Sequence, residues 1–253
     1  MGRAKEEWMR REENEPMYEW IEENYGEDAG EEGSETWNEA VKAFEEYCEE
    51  QQRLEEESYW QDEYDYYIFL TLKDADLIFT KDLSELRSML TMNNVMSANH
   101  TYLKMVLAHA VTILEVYLED IVKSLIVSND SYLANTIKNV KPFCDTSFKL
   151  SEISIEKDGI RKFVIGKLSD SLYHDIPKVI KILSGIIGRR IDISIKDVCR
   201  VTIIRHDIVH RNGKGKDGNH IEITLPFVLD ALASIESFAR DLRANLATLQ
   251  SAQ

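Results

Sequence analysis

Residues 99–127 read NHTYLKMVLAHAVTILEVYLEDIVKSLIV, and the reading of this stretch decides the fold. Apolar side chains recur at Leu103, Leu107, Ala110, Leu114, Tyr117, Ile121 and Leu125. Steps of three and four residues place them on one helix face. The run covers about six turns, long enough to anchor a bundle. Glu115, Glu119, Asp120 and Lys123 lie off the stripe.

The flanking sequence repeats the pattern. Residues 66–90 are mixed, with helical spacing in the second half at Leu83, Leu86, Met89 and Leu90. Residues 129–160 are less regular. Pro142 and the β-branched pair Ile153 and Ile155 point to a loop with a short strand. A helix follows at about 160–172. Pro177 opens another, PKVIKILSGII, because proline suits the first helical turn, and Gly188 closes it. Ser194 and Asp197 then form the outline of a capping box before IKDVCRVTIIRHDIVH. Asn212-Gly213 is a helix stop. A last helix, about 225–249, carries Leu229, Leu232, Ile235, Phe238, Leu242 and Leu246 on one face. The expected fold is all-α, a bundle of about four to five helices with an acidic, partly helical N-terminal extension.

The charge is divided unevenly along the 253 residues. The net value is −16. Residues 1–66 hold 24 acids against 6 bases, and the remainder holds 22 acids against 24 bases. The division predicts an acidic arm over 1–66 and a helical domain over 67–253, with its core at about 100–245. A pI of 4.9 therefore leaves room for a nucleic-acid surface on the larger part. In the arm, Trp37, Val41, Phe44, Cys48 and Leu54 recur at roughly helical spacing, and GEDAGEEGSE (26–35) reads as a linker. Trp8, Trp20, Trp37 and Trp60 all fall there. One reading is a solvated arm whose helix docks on the body. The other is regulatory: an acidic, aromatic segment suits a basic, base-stacking groove and competes there with RNA.

Apolar residues make up 43%, and no run of about 18 of them occurs, so no membrane-spanning helix is expected. The charged beginning, MGRAKEEWMRREENE, lacks the apolar core of a signal peptide. Cys48, Cys144 and Cys199 have no paired spacing, which points to a reducing, cytoplasmic setting.

RHDIVHRNGKGKDG (205–218) carries the chemistry, and it supports three readings. His206 and His210 have the one-turn spacing of a zinc-protease helix. The position of a third histidine, however, holds Lys216, a cation where a ligand is needed, and Asp207 is a methylene shorter than the usual glutamate. Gly213, Gly215 and Gly218 match a dinucleotide loop, which requires a strand before it; here a helix precedes. The glycines are better explained as a helix stop and a turn, so neither a metal nor a cofactor is expected. The third reading is RNA cleavage, which needs a group to move protons and a fixed cation for the phosphorane. Histidine titrates near neutrality, and arginine binds phosphate with two donors. Arg205 and His210 stand about 7.5 Å apart along the axis and about 140° around it. They reach one groove if His210 lies in a fraying last turn, or if the groove lies between two copies of the helix.

Arg205-His-Asp-Ile-Val-His210, followed by Arg-Asn-Gly, resembles the motif of the HEPN superfamily: arginine, a polar residue, three more, then histidine. The likeness covers about residues 100–245, and Leu114-Glu115-Val-Tyr-Leu-Glu-Asp120 is similar to that superfamily's acid-bearing first core helix. The resemblance implies a homodimer whose two motifs face one cleft. It also implies metal-independent endoribonuclease activity leaving a 2′,3′-cyclic phosphate, in toxin–antitoxin or phage-defence systems with an antitoxin or other regulatory protein as partner. Arg205 would hold the scissile phosphate, His210 would be the acid–base group, and His206 would assist. Asp207 and Glu115 would support them, with Asp207 bonded to an imidazole or to Arg211. Arg211, Asn212, Lys214 and Lys216 would hold flanking RNA. Some members bind RNA or a protein without cutting, so a noncatalytic dimerisation module stands as the alternative. His109 reads as a satisfied helix histidine, and His100, His174 and His220 as surface or loop groups.

Overall fold

The structure, a computed structural model, describes residues 2–92, 99–149 and 159–251. The expected strand at Ile153 and Ile155 lies outside the described residues. The chain divides into two compact units, Met1–Glu63 and Tyr64–Gln253. Among the described residues there are nine α-helices and no strand. None of these helices is long and apolar enough to cross a membrane.

In the smaller unit, α1 (Gly2–Tyr25) leads through a 3-10 turn (Gly26–Ala29) into α2 (Glu35–Phe69). The arm is therefore a helical hairpin with a small core of its own. Ile21, Ala29 and Ala40 are buried, with Met17, Trp20, Trp37 and Val41 packed around them. Trp20 lies 5.3 Å from Tyr47 and 5.6 Å from Phe44, ring centre to ring centre, and Tyr18 lies 5.5 Å from Trp37. Aromatic pairs at such separations stabilise the hairpin beyond their area alone.

The last turns of α2 belong to the larger unit, where Tyr64 and Tyr67 are buried in the core. There follow α3 (Leu72–Met92), α4 (His100–Ser128), α5 (Asp130–Asn139), α6 (Gly159–Ser169), α7 (Ile176–Ile187), α8 (Lys196–Arg211) and α9 (Leu225–Ser251). This is more than the four to five helices expected. The short α5 falls where the sequence reads as irregular; the Asn129 side chain starts it by accepting from Ser131 N. Helix α3 also begins earlier than the apolar spacing indicated.

Helix α4 is the axis of the unit, packed against α3, α5, α6, α7, α8 and α9. Its stripe widens until nearly the whole second half is buried, from Tyr117 to Ile126 with Glu119 alone half-buried. A helix enclosed on all sides belongs in a core, and each fully buried leucine there contributes roughly 1.5–3 kcal/mol. The enclosure takes in the off-stripe residues Asp120 and Lys123 too. Lys123, with no exposed surface, lies 2.6 Å from Glu119, donates to Ser169 Oγ at 2.7 Å and sits 4.9 Å from the Tyr67 ring centre. Asp120 is bonded to Tyr67, and burial pushes its carboxyl up to about 6.

The helix ends are mostly as expected. Asp175 caps α7 by accepting from Lys178 N, Pro177 sits in the first turn, and Gly188 ends the helix at φ +74°. The capping box at α8 does not form: Ile195 is the cap residue, and no side chain bonds there. Asn212 ends α8 in the left-handed region at φ 52°, which asparagine tolerates better than most residues.

Candidate functional site

The site lies where the end of α8 crosses α4. Helix α8 buries Val198, Val201 and Thr202 and turns Ile203, His206 and His210 outward. Arg205 points a different way, as the 140° offset requires, and is mostly buried against α4. There its Nη2 lies 3.5 Å from Glu115 Oε2. His174, from the loop before α7, brings Nδ1 to 3.0 Å from Glu115 Oε1. Three separate elements thus meet at one carboxylate.

This cluster is incompletely bonded. Arg205 Nε and Glu115 Oε1 are shielded from solvent and make no aligned hydrogen bond; His174 approaches Oε1 closely but off the bonding direction. A shielded donor or acceptor without a partner costs about 1–3 kcal/mol.

The His206 and His210 rings lie 4.6 Å apart, centre to centre, tilted 45° to each other, and both are exposed. Among the described residues no hydrogen bond or ion pair joins either to Arg205. Asp207 is buried and takes one of its two sequence-level options: it accepts from Arg211 Nη1 at 2.5 Å, one turn away, and not from an imidazole. Its backbone carbonyl accepts from Gly213 N at 2.9 Å and so fixes the helix stop. Arg211 lies in the last turn, where the helix carbonyls favour a cation.

The turn after α8 is built and not loose. Gly213 O accepts from Ile221 N, Gly215 N donates to Asn219 O, and Lys214 and His220 form a single antiparallel bridge. The side chains of Lys214 and Lys216 reach solvent. Lys104, from the first turns of α4, donates from Nζ to Asn212 O at 2.8 Å. It also covers Gly213 so closely that a Cβ there would stand 2.7 Å from Lys104 Cε.

The structure therefore brings Arg205 to Glu115, and Asp207 to Arg211, and sets His206 beside His210. It leaves Asn212, Lys214 and Lys216 at the rim. Two further residues belong to the site that the sequence did not single out. His174 had only a loop setting to recommend it, and Lys104 reads as an ordinary polar residue beside an apolar stripe. Neither has a sequence signal, because each reaches the site from a distant segment. Among the described residues no three His, Cys, Asp or Glu side chains converge as a metal-binding group would require. Compared with protein-family models, curated proteins and solved structures, the chain matches none.

Proposed function

We propose that this chain is a HEPN-type, metal-independent endoribonuclease, acting as a homodimer in the cytoplasm as a toxin or phage-defence effector under the control of an antitoxin or other regulatory protein. One observation carries the reading. An arginine from the motif is paired with a carboxylate of the central helix, with a shielded N–H left over, while the motif's histidines, the next residue and the one four further on, face outward. A guanidinium so placed is oriented but not saturated, which suits it to a phosphate's non-bridging oxygens.

In the proposed reaction a ribose 2′-hydroxyl loses its proton to a histidine, and its oxygen attacks phosphorus. The bond from phosphorus to the 5′ oxygen breaks, and that oxygen takes a proton as it leaves. The products are a 2′,3′-cyclic phosphate and a 5′-hydroxyl. His210 moves the protons, His206 assists it, and Arg205 balances the charge that builds on phosphorus. Glu115 holds Arg205, and Asp207 anchors Arg211 at the helix end. Arg211, Asn212, Lys214 and Lys216 bind the flanking backbone. Because Arg205 and His210 point apart within one protomer, the working site combines motifs from two.

A noncatalytic RNA- or protein-binding dimerisation module is the second reading. The half-buried Arg205–Glu115 pair favours it, since a purely structural ion pair has the same geometry. Incubating the full chain with mixed RNA and analysing the new ends separates the two. Cyclic phosphate ends that vanish in His210→Ala, with dimer and thermal midpoint retained, support the nuclease; general acid–base groups contribute about 10²–10⁴-fold. Cutting by His210→Ala at the parental rate refutes the assignment, and loss of cutting with EDTA revives a metal.

A further inference from the structure

We infer that the groove formed by α5, α7 and the loop after α7 is a second RNA-binding surface, gripping the sugar–phosphate backbone of the strand that leaves the cleavage site. The inference rests on the nuclease reading for its ligand but on separate residues for its geometry.

Two adjoining cavities of about 690 Å³ and about 500 Å³ share Asn139, Pro177 and Lys181 in their walls. Together their linings hold five bases, Lys141, Lys178, Lys181, Arg189 and Arg190, against two acids, Asp175 and Asp192. Asp175 caps α7, and Asp192 lies 3.9 Å from Arg190, so the bases of the lining outnumber the acids by three. Lys141 is paired with Asp145. The exposed side chains of Lys178 and Lys181 make no hydrogen bond or salt bridge among the described residues. They lie one turn apart on α7, so a cationic edge runs along the helix and continues to Arg189 and Arg190 just past its end.

The walls are fixed. Asn135 and Asn139 of α5 donate to the Ile186 and Gly185 carbonyls of α7, and Ile191 N donates to Ser184 Oγ, folding the next loop back. A Cβ on Gly185 would stand 2.7 Å from Val140 Cγ2, so the end of α5 packs closely against α7 there. The groove and the candidate site share a stretch of chain: His174 faces Glu115, and the next residue, Asp175, lines the groove. Ile180, Ile182, Ile191, Ile193 and Ile195 dominate the apolar part of the lining, which contains no aromatic ring. A groove without stacking platforms holds backbone charge and not bases, so its binding is insensitive to sequence and sensitive to salt.

The test uses the full chain and a fluorescent 2′-O-methyl RNA of twelve nucleotides, which lacks the attacking hydroxyl and stays intact. Lys178→Ala/Lys181→Ala/Arg190→Ala is compared with the parent across a salt series. The plot of log affinity against log salt is expected to become shallower by about 2, since each phosphate contact to a single strand contributes about 0.7. Affinity at low salt is expected to fall at least about tenfold, while cleavage of a dinucleotide stays within about twofold because it is too short to enter the groove. A control, Lys73→Ala/Lys81→Ala on α3, should leave the slope unchanged. An unchanged slope in the triple variant, or an equal loss in the control, overturns the proposal. So does binding of polyglutamate with no binding of RNA, which would assign the groove to an acidic protein. A parent that cuts nothing, yet shows the expected loss of slope, retires the nuclease reading and leaves the groove standing.

Discussion

At the scale of single residues, Glu115 is the group that makes Arg205 more than a surface cation. The guanidinium has five donors, and among the described residues its one ion pair runs from Nη2 to Glu115 at 3.5 Å. Glu115→Gln keeps the shape of the side chain and removes the charge that orients the arginine. Cleavage by this variant is expected to fall about 10²-fold, the cost of misplacing a catalytic group by about an ångström. RNA affinity should change far less, so the loss belongs in kcat; a loss confined to KM would remove Glu115 from an orienting role. Gly213 makes a second prediction. Its φ of +79° strains any residue with a Cβ, and a methyl group there would also push the end of the Lys104 side chain aside. Gly213→Ala is expected to lower stability by about 1–3 kcal/mol, read from the urea midpoint. A midpoint within error of the parent would show that the turn relaxes its backbone angle and that Lys104 yields at no cost.

At the scale of elements, α4 performs two tasks. Its second half fills the core, and Lys104 and Glu115 hold the end of α8. The core part encloses charge, and Asp120 is the clearest case: it is buried, and its carboxyl titrates near 6 against an ordinary 3.8. Burial is the main cause, Glu119 adds to it, and the Tyr67 hydrogen bond and Lys123 oppose it. The native state therefore holds this proton more tightly than the unfolded chain does. Its contribution to stability is complete below about pH 4 and is lost as pH rises through about 6, a difference on the order of 2–3 kcal/mol. Asp120→Asn keeps an acceptor for Tyr67 and cannot ionise. Relative to the parent, it should gain stability at pH 7 and lose that gain by about pH 4. Urea midpoints of both proteins at the two pH values test this, and a gap that does not vary with pH would show that Asp120 is not the titrating group.

At the scale of the whole molecule, a single protomer presents Arg205 and His210 on different sides of one helix. The proposed reaction requires both at one phosphate. If the proposed dimer is the working form, cleavage per protomer falls as the protein is diluted into the monomeric range, with sedimentation reporting the monomer over the same range. A rate per protomer that stays constant into the monomeric range would place the whole site in one chain. The smaller unit has a different character from a loose acidic tail. Trp20 and Trp37 pack in its own core, so these rings serve the hairpin before they serve any base. A regulatory role of the kind the sequence suggested would therefore rest on its carboxylates more than on stacking.

The sequence by itself determined the helical class, the central helix and the stop at Asn212-Gly213. Each is a local property: a three-to-four-residue apolar period, or a backbone angle that asparagine and glycine tolerate. It also marked Arg205, His210 and Glu115, through the motif and its likeness to a known family. It missed α5, whose ten residues carry little periodic signal, and it suggested a capping box at Ser194 that the chain does not use. Only the tertiary structure decided that Arg205 meets Glu115, that His174 and Lys104 join them, and that Asp120 and Lys123 lie inside. Those facts depend on which helices pack together. Packing sums weak contacts between residues far apart in the chain, and no local pattern records that sum.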